Sequence, residues 1–392
     1  GPSTAMTTFA VIAGGGTSGH VLPALAVAES LVDAGHSLAE LEYFGARRGV
    51  ETRLVPPSGL RAEFFDVVGL KREISVSALG NNLLFAPKLL RAWWRAVRHL
   101  RRSRPRVVVS VGGYASLPAV LGARVLKIPI VVVTYDRTPG RSSALTSRFA
   151  AAVASAFPEG ILPRSEYTGA PVRRALRNLD REAERASARR RLGLEADRFC
   201  IGVIGGSLGS GILNDVTLTL VRHWSSDPGV AIRHVVGGRF LETHRQRLID
   251  TAVSFDDGTS TMDERGGLHY QIIGYEEDMK SMYAAVDVIV GRGGAGTVAE
   301  VAVTGTPAVL IPWSGSADDH QRANVAWLAD EGGALAMDET VVARELPHLL
   351  DELRRDPNRL HSLGHRAHEA GARSRLGAIA DLVERVAAEG SS

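Results

Sequence analysis

Phe9-Ala10-Val11-Ile12-Ala13-Gly14-Gly15-Gly16-Thr17-Ser18-Gly19-His20 is the stretch on which the fold of this chain turns. An apolar, partly β-branched run stops abruptly in glycine, and an amphipathic stretch from Val21 to Ala34 follows. That order reads as strand, tight turn, helix. Glycine at such a turn lets the backbone approach a ligand closely, and the helix N-terminus offers unpaired N–H groups and positive dipole to an anion. The same grammar recurs at Gly112-Gly113-Tyr114, at Gly205-Gly206-Ser207-Leu208-Gly209-Ser210-Gly211 and at Gly291-Arg292-Gly293-Gly294-Ala295-Gly296-Thr297. Two of these four junctions lie in each half of the chain. They predict two α/β domains facing a cleft that holds two phosphate-bearing ligands.

Working outward, short apolar runs alternate with amphipathic stretches on both sides of residue 170. Strands are expected at Phe9–Ala13, Leu41–Phe44, Val107–Val111, Ile130–Thr134 and Val153–Ala156. A second set is expected at Cys200–Ile204, Ala231–Val236, His269–Ile273, Asp287–Val290, Ala308–Ile311 and Ala334–Met337. Such alternation predicts two doubly wound parallel sheets, whose ligand crevices lie beyond the C-terminal strand ends. All four glycine junctions fall at that edge. Domains are expected over residues 6–168 and 169–360, with a helical, arginine-rich tail over 361–392 crossing back to the first domain.

The bulk numbers agree with two soluble domains. The chain has 392 residues, 45% hydrophobic and 23% charged, with no disorder signature. Gly1 to Ala5 reads as a cloning scar ahead of Met6, and the run that follows lacks the basic flank of a signal peptide. No stretch reaches the roughly 18 apolar residues of a spanning helix. The single cysteine, Cys200, sits in an apolar strand run and reads as a buried thiol rather than a nucleophile. A cytoplasmic protein is expected.

The net charge of +3 is modest, but its distribution is uneven. Lys88, Arg91, Arg95, Arg98, Arg101, Arg102, Arg104 and Arg106 share one segment with Leu89, Leu90, Trp93 and Trp94. It is either a surface helix with a solvated basic face or a docking patch for anionic lipid. A nucleic-acid groove is disfavoured, because nothing elsewhere in the chain matches it.

Gly14, Gly16 and Gly19 formally satisfy a dinucleotide fingerprint. The acidic residue that should close the second strand is not in place, since Glu42 falls inside the strand. His20 is more telling. It ends the loop and opens the helix, where an imidazole either reaches a bound phosphate or neighbouring hydroxyl, or merely packs. Ser207 and Asn214 stand at the third junction for polar recognition of a base or phosphate. Glu300, early in the helix after the fourth, is placed to accept both hydroxyls of a ribose or simply to complement the dipole. The stretch Asp318-Asp319-His320-Gln321-Arg322-Ala323-Asn324 carries the polar groups with which a protein reads a sugar. Metal ligation there is disfavoured, because consecutive residues rarely converge on one ion.

Taken together and in order, Gly15-Gly16-Thr17-Ser18-Gly19-His20, Gly112-Gly113-Tyr114, Gly169-Ala170-Pro171-Val172-Arg173, Gly206-Ser207-Leu208-Gly209, Arg292-Gly293-Gly294-Ala295-Gly296-Thr297-Val298-Ala299-Glu300 and Asp319-His320-Gln321 resemble the MurG family. The resemblance covers nearly the whole chain. It implies a two-domain GT-B glycosyltransferase that moves N-acetylglucosamine from UDP-GlcNAc to the polyprenyl-pyrophosphate-linked acceptor lipid I, with inversion and no essential bound metal or other cofactor. It implies a peripheral position on the inner face of the cell membrane. By the same resemblance, Gly15, Gly16, Thr17, Gly19, Gly112, Gly113 and Tyr114 line the acceptor diphosphate, with His20 near the attacking hydroxyl. Arg173, Ser207, Gly209 and Ala295 hold UDP, Glu300 its ribose and Ile273 its uracil, while His320 and Gln321 read the sugar.

One segment departs from the family pattern. Where the family usually carries His-Glu-Gln-Asn after the strand at Ile130, this chain has Thr134-Tyr135-Asp136-Arg137. Asp136 is then a second candidate base beside His20, and Arg137 a candidate partner for an acceptor phosphate. A transferase acting on a different lipid phosphate, or a UDP-sugar epimerase of the same fold, is the alternative.

Overall fold

The structure, a computed structural model, describes residues 7–16, 18–67, 76–258, 266–316 and 319–391. The chain divides into two compact units. One runs to Arg174 and takes in the chain from Arg373 onward; the other is Ala175–Ala372. The chain thus leaves the first unit at Arg174 rather than at 168, and returns at Arg373 rather than at 361.

The first unit contains β1 (Ala10–Ala13), α1 (Ser18–Asp33), β2 (Leu41–Ala46), α2 (Glu51–Leu54), β3 (Arg61–Phe65), α3 (Val76–Ser103), β4 (Val107–Ser110), α4 (Leu117–Leu126), β5 (Ile130–Thr134), α5 (Arg141–Ser147), β6 (Ala152–Ser155) and β7 (Ser165–Tyr167). Its seven strands pair in parallel in the order β3-β2-β1-β4-β5-β6-β7. All four residues of β1 are fully buried, as strands covered on both faces should be. Helix α6 (Arg174–Arg177) carries the chain onward.

The second unit continues with α7 (Arg181–Leu192), β8 (Phe199–Ile204), α8 (Gly211–His223), β9 (Val230–Val235), α9 (Leu241–Asp250), β10 (His269–Ile273), α10 (Met279–Ala285), β11 (Val288–Gly291), α11 (Ala295–Thr304), β12 (Ala308–Leu310), α12 (His320–Asp330), β13 (Leu335–Ala336), α13 (Val342–Arg355) and α14 (Pro357–Ala370). The strand order is β10-β9-β8-β11-β12-β13, again all parallel. Local chemistry sets the helix ends: Asp180 accepts from Ala183 N–H at the start of α7, and Gly193 ends that helix at φ 68°.

The tail is not one continuous helix. It breaks after α14 at Gly371, whose Cα lies against the backbone of Ala302, and resumes as α15 (Ala378–Glu389) in the first unit. There Ile379, Leu382, Val383 and Val386 join Val21, Leu25 and Leu31 of α1 in one core cluster. Each such side chain contributes about 1.5–3 kcal/mol on full burial. That apolar face docks the tail, with ion pairs from Glu384 to His36 and from Arg385 to Glu166 beside it.

The placement of the glycines follows from the strand orders. Strand order reverses between β1 and β4 in one sheet and between β8 and β11 in the other. The four glycine junctions follow those four strands and no others. In open α/β sheets that reversal is where the crevice forms.

Candidate functional site

At the first reversal point the loops after β1 and β4 touch. A Cβ on Gly113, whose φ is 78°, would come within 2.6 Å of the Gly15 carbonyl, and one on Gly16, at φ 96°, within 2.7 Å of the Tyr114 ring. Both positions demand glycine for conformation and for space. Thr17 lies outside the described residues; Gly19 is exposed in the first turn of α1.

A carboxylate braces this seat from behind. Glu51, fully buried, accepts from Gly16 N–H at 2.5 Å and from Ala46 N–H at 3.3 Å through Oε1. Among the described residues its Oε2 has no hydrogen-bond partner. Sequence reasoning passed over Glu51. Its one-turn helix carries no motif, and the only signal was an acidic residue just after Gly49.

His20 sits in the third position of α1 with its ring against Gly112 and Gly113. A Cβ on Gly113 would stand 3.0 Å from His20 Cδ2. His20 Nδ1 contacts the hydroxyl of Tyr135, which also donates to the Val111 carbonyl at 3.0 Å. Burial lowers the His20 pKa below its ordinary value, against smaller opposing effects of the Asp136 carboxylate and the Val111 carbonyl. The ring is therefore neutral at pH 7, as a proton acceptor must be. Asp136 lies close enough to act on His20 electrostatically, while Arg137 donates to Glu159 at 2.9 Å. An acceptor phosphate would have to compete with Glu159 for Arg137.

At the second reversal point, amides replace the carboxylate. Gln321 Oε1 accepts from Gly293 N–H at 3.1 Å and from Trp313 N–H at 2.9 Å, and the buried Asn324 donates to the Gly293 carbonyl at 3.2 Å. Both backbone groups of Gly293 are thus held by side chains one turn apart on α12. Gln321, read as a sugar contact, spends its oxygen on the loop and has only its NH₂ end to donate outward. Asp319 opens α12 in the left-handed conformation at φ 53° and pairs with Arg322 at 3.0 Å; His320, the first residue of the helix, is half-buried. Asp318 lies outside the described residues.

Ala295 opens α11 after Gly294, and Glu300 follows in the second turn rather than the first. The hydroxyl of buried Tyr283 donates to Glu300 Oε2 at 2.7 Å, fixing the carboxylate. Burial raises the pKa of Tyr283, so it remains a donor. On the neighbouring loop Ser207 is exposed, and Gly209, at φ 77°, admits no Cβ, which would meet the Val236 carbonyl at 2.6 Å. Ser210 caps α8 by accepting from Leu213 N–H at 3.3 Å. Ile273 is half-buried at the end of β10.

One expectation needs correction. Asn214 is not available to a base or phosphate. It is buried, donating to the Val236 carbonyl at 3.1 Å, with Oδ1 2.8 Å from His234 Nε2. Glu42 is a strand residue, as its position implied, but its partner is His99, at 2.6 Å. Arg173 is engaged by Glu29 of α1 in the first unit, beside an Arg174–Asp33 pair at 2.7 Å. Cys200 is buried as expected, and burial pushes its thiol up to about 12.

In α3 the inward face carries Ala92, Ala96 and Leu100. Leu90 and Trp94, one turn apart, are 62% and 58% exposed, with Arg98 set over the Trp94 ring at 5.6 Å. Trp93 turns inward and is half-buried, so a single tryptophan of the two faces outward. Residues 68–75 lie outside the described residues.

Residues 10–155 match the glycosyltransferase family 28 N-terminal domain, and residues 200–380 the C-terminal domain of that family. Curated relatives named UDP-N-acetylglucosamine–N-acetylmuramyl-(pentapeptide) pyrophosphoryl-undecaprenol N-acetylglucosamine transferase align almost end to end. That of Clavibacter sepedonicus is 35% identical, covering 96% of both chains. That of Streptomyces coelicolor is 34% identical, over 93% of this chain and 94% of its own. The crystal structure of Acinetobacter baumannii MurG superposes with a TM-score of 0.67 at 27% identity, covering 97% of this chain and 99% of that one. A UDP-GlcNAc 2-epimerase from Neisseria meningitidis, 14% identical with a TM-score of 0.65, shares the fold. With both family domains matched in order and relatives above 30% identity along nearly its whole length, the chain belongs to glycosyltransferase family 28 and, within it, to the MurG family.

Proposed function

We propose that this protein is an inverting glycosyltransferase that moves N-acetylglucosamine from UDP-GlcNAc to the sugar hydroxyl of lipid I, giving lipid II. The observation that carries the reading is a neutral, half-buried imidazole, His20, set on a two-loop glycine seat for an anion. In this reading the seat takes the acceptor diphosphate. His20 removes the proton of the attacking hydroxyl, which displaces UDP from the opposite face of the anomeric carbon. The donor side is Ser207, Gly209, Ala295 and Glu300, with Ile273 beside the base. The N-termini of α8 and α11, with Arg173 once it exchanges Glu29 for the nucleotide, stabilise the departing diphosphate in place of a metal. Chelator should then leave the rate unchanged.

The exposed Leu90–Trp94 edge of α3, flanked by Arg91, Arg98, Arg101 and Arg102, suits a peripheral position on an anionic membrane. Among the described residues no helix is long and apolar enough to cross a membrane.

The test is UDP release from UDP-GlcNAc with and without a lipid I analogue. Release that depends on the lipid supports the reading. A second reading, transfer to a different lipid phosphate, is favoured by Thr134-Tyr135-Asp136-Arg137 and the Arg137–Glu159 pair. Intact donor binding with inertness toward lipid I would select it. Epimer formation without any acceptor would remove both.

A further inference from the structure

The segment that departs from the family pattern places a phenol on the candidate base. Three atoms meet there: His20 Nδ1, the Tyr135 hydroxyl and the Val111 carbonyl oxygen. The carbonyl can only accept, and the hydroxyl has one proton, directed at that carbonyl over 3.0 Å. What the hydroxyl then turns toward Nδ1 is a lone pair, so Nδ1 must carry the hydrogen. The opposite assignment, hydroxyl to Nδ1, would take this bond away from the carbonyl and leave the hydrogen on Nε2. The ring cannot exchange its edges freely, since Cδ2 lies against Gly113 and the Nδ1–Cε1 edge against Gly112.

We propose that Tyr135 is a positioning residue that holds His20 in the Nδ1–H tautomer, so that Nε2 carries the lone pair that accepts the proton of the attacking hydroxyl. This rests on the reading of His20 as the base. In the step, the acceptor O–H bond breaks and its proton passes to Nε2. The oxygen's electron pair forms the bond to the anomeric carbon, and the bond to UDP breaks with its pair leaving on the diphosphate. The imidazolium so formed keeps its Nδ1–H on the Tyr135 oxygen and has the Asp136 carboxylate nearby to offset its charge. A phenol differs from a carboxylate in this position because it orients the ring without adding charge. The tautomer is selected while the ring stays neutral.

The experiment is long-range proton–nitrogen NMR on the full-length protein carrying ¹⁵N-labelled histidine, with no substrate present and His20 assigned by its loss in His20→Asn. The wild type is expected to show a protonated Nδ1 and an unprotonated Nε2. Tyr135→Phe keeps the ring volume but removes the hydroxyl, and should bring up a substantial Nε2–H population. The same variant should lose on the order of tenfold in kcat, with KM for both substrates and UDP affinity unchanged. Tyr135→Glu should instead retain the Nδ1–H form and move the acid limb of the pH–rate profile upward, as a carboxylate on a histidine does. An Nε2–H tautomer in the wild type, or an unchanged Nδ1–H form in Tyr135→Phe, would overturn the proposal. Because the NMR measurement involves no acceptor, a fixed tautomer in an enzyme inert to lipid I would count against the proposed reaction and not against Tyr135.

Discussion

The two reversal points share a backbone design and differ in what braces it. Around β1 and β4 the braces are ionisable or aromatic: Glu51 on Gly16 N–H, Tyr114 over Gly16, Tyr135 on His20. Around β8 and β11 amides hold the backbone, Gln321 and Asn324 on Gly293 and Asn214 on the Val236 carbonyl, while Arg292 in the glycine loop pairs with Glu339 at 2.8 Å and Tyr283 donates to Glu300. Amides hold a loop without changing charge over the working pH range. Acids, phenols and imidazoles hold it and also set where protons reside. The contrast teaches that a strand–glycine–helix junction does not declare its role; the neighbouring side chains do. On the proposed reading, proton chemistry belongs to the first junction and binding to the second.

The sharpest way to break this assignment is His20→Ala. If the first junction does the proton chemistry, kcat should fall by about 10²–10⁴ while UDP affinity, measured by calorimetry, stays at the wild-type value. A parallel loss of UDP binding would merge the two junctions into one role. The reverse test is Glu300→Gln, which keeps an acceptor for the Tyr283 hydroxyl but removes the charge. UDP affinity should drop about tenfold, roughly 1.4 kcal/mol, in the same calorimetric titration. Next in size is Asn324→Leu, which leaves the Gly293 carbonyl without its donor. A loss of about 1–3 kcal/mol in unfolding free energy is expected by denaturant titration, with the His20 tautomer untouched.

The ease with which these parts could be read from sequence follows the same division. Central strands were legible because burial on both faces enforces continuous β-branched runs, as in Val107–Ser110 and Ile130–Thr134. Both edge strands of the first sheet escaped. In Arg61-Ala62-Glu63-Phe64-Phe65 only Phe65 is buried, and Ser165-Glu166-Tyr167 has no fully buried residue. Helix α9 escaped as well, because only His244 and Leu248 of its ten residues are buried. The glycines were legible as positive-φ positions next to apolar runs. Their braces were not: Glu51 is 35 residues from the amide it holds, and Tyr135 is 115 from His20. Asn214 shows the converse error. A polar residue beside a glycine loop looks outward on paper, whereas one helical turn aims it at buried His234.

The smallest predicted effect concerns pH and separates two histidine sites, one in each unit, by sign. In the second unit His234 is fully buried between Asn214 and the Tyr270 hydroxyl, which also meets His244 Nε2 at 2.9 Å. Burial lowers the pKa of His234 well below 6.5 and that of His244 to about 4. A histidine whose folded pKa is depressed binds fewer protons in the folded than in the unfolded state below pH 6.5. Its stabilising share is therefore present above that pH and lost as pH falls toward 4. In the first unit the sign reverses. The hydrogen bond His99 donates to the Glu42 carboxylate raises its pKa, against desolvation, so its contribution is complete below pH 6.5 and lost as pH rises through the folded value. Hydrogen exchange followed by mass spectrometry, corrected for intrinsic rates, should find Val230–Val235 losing protection between pH 6.5 and 4.5. Over Ala92–Leu100 of α3, protection should decline instead as pH rises above 6.5. His99 pairs with Glu42 across α3 and β2, so only the first unit's helix should respond on the alkaline side. Parallel behaviour in both segments would mean that the two units share one titrating origin, and the division drawn from their braces would not extend to their stability.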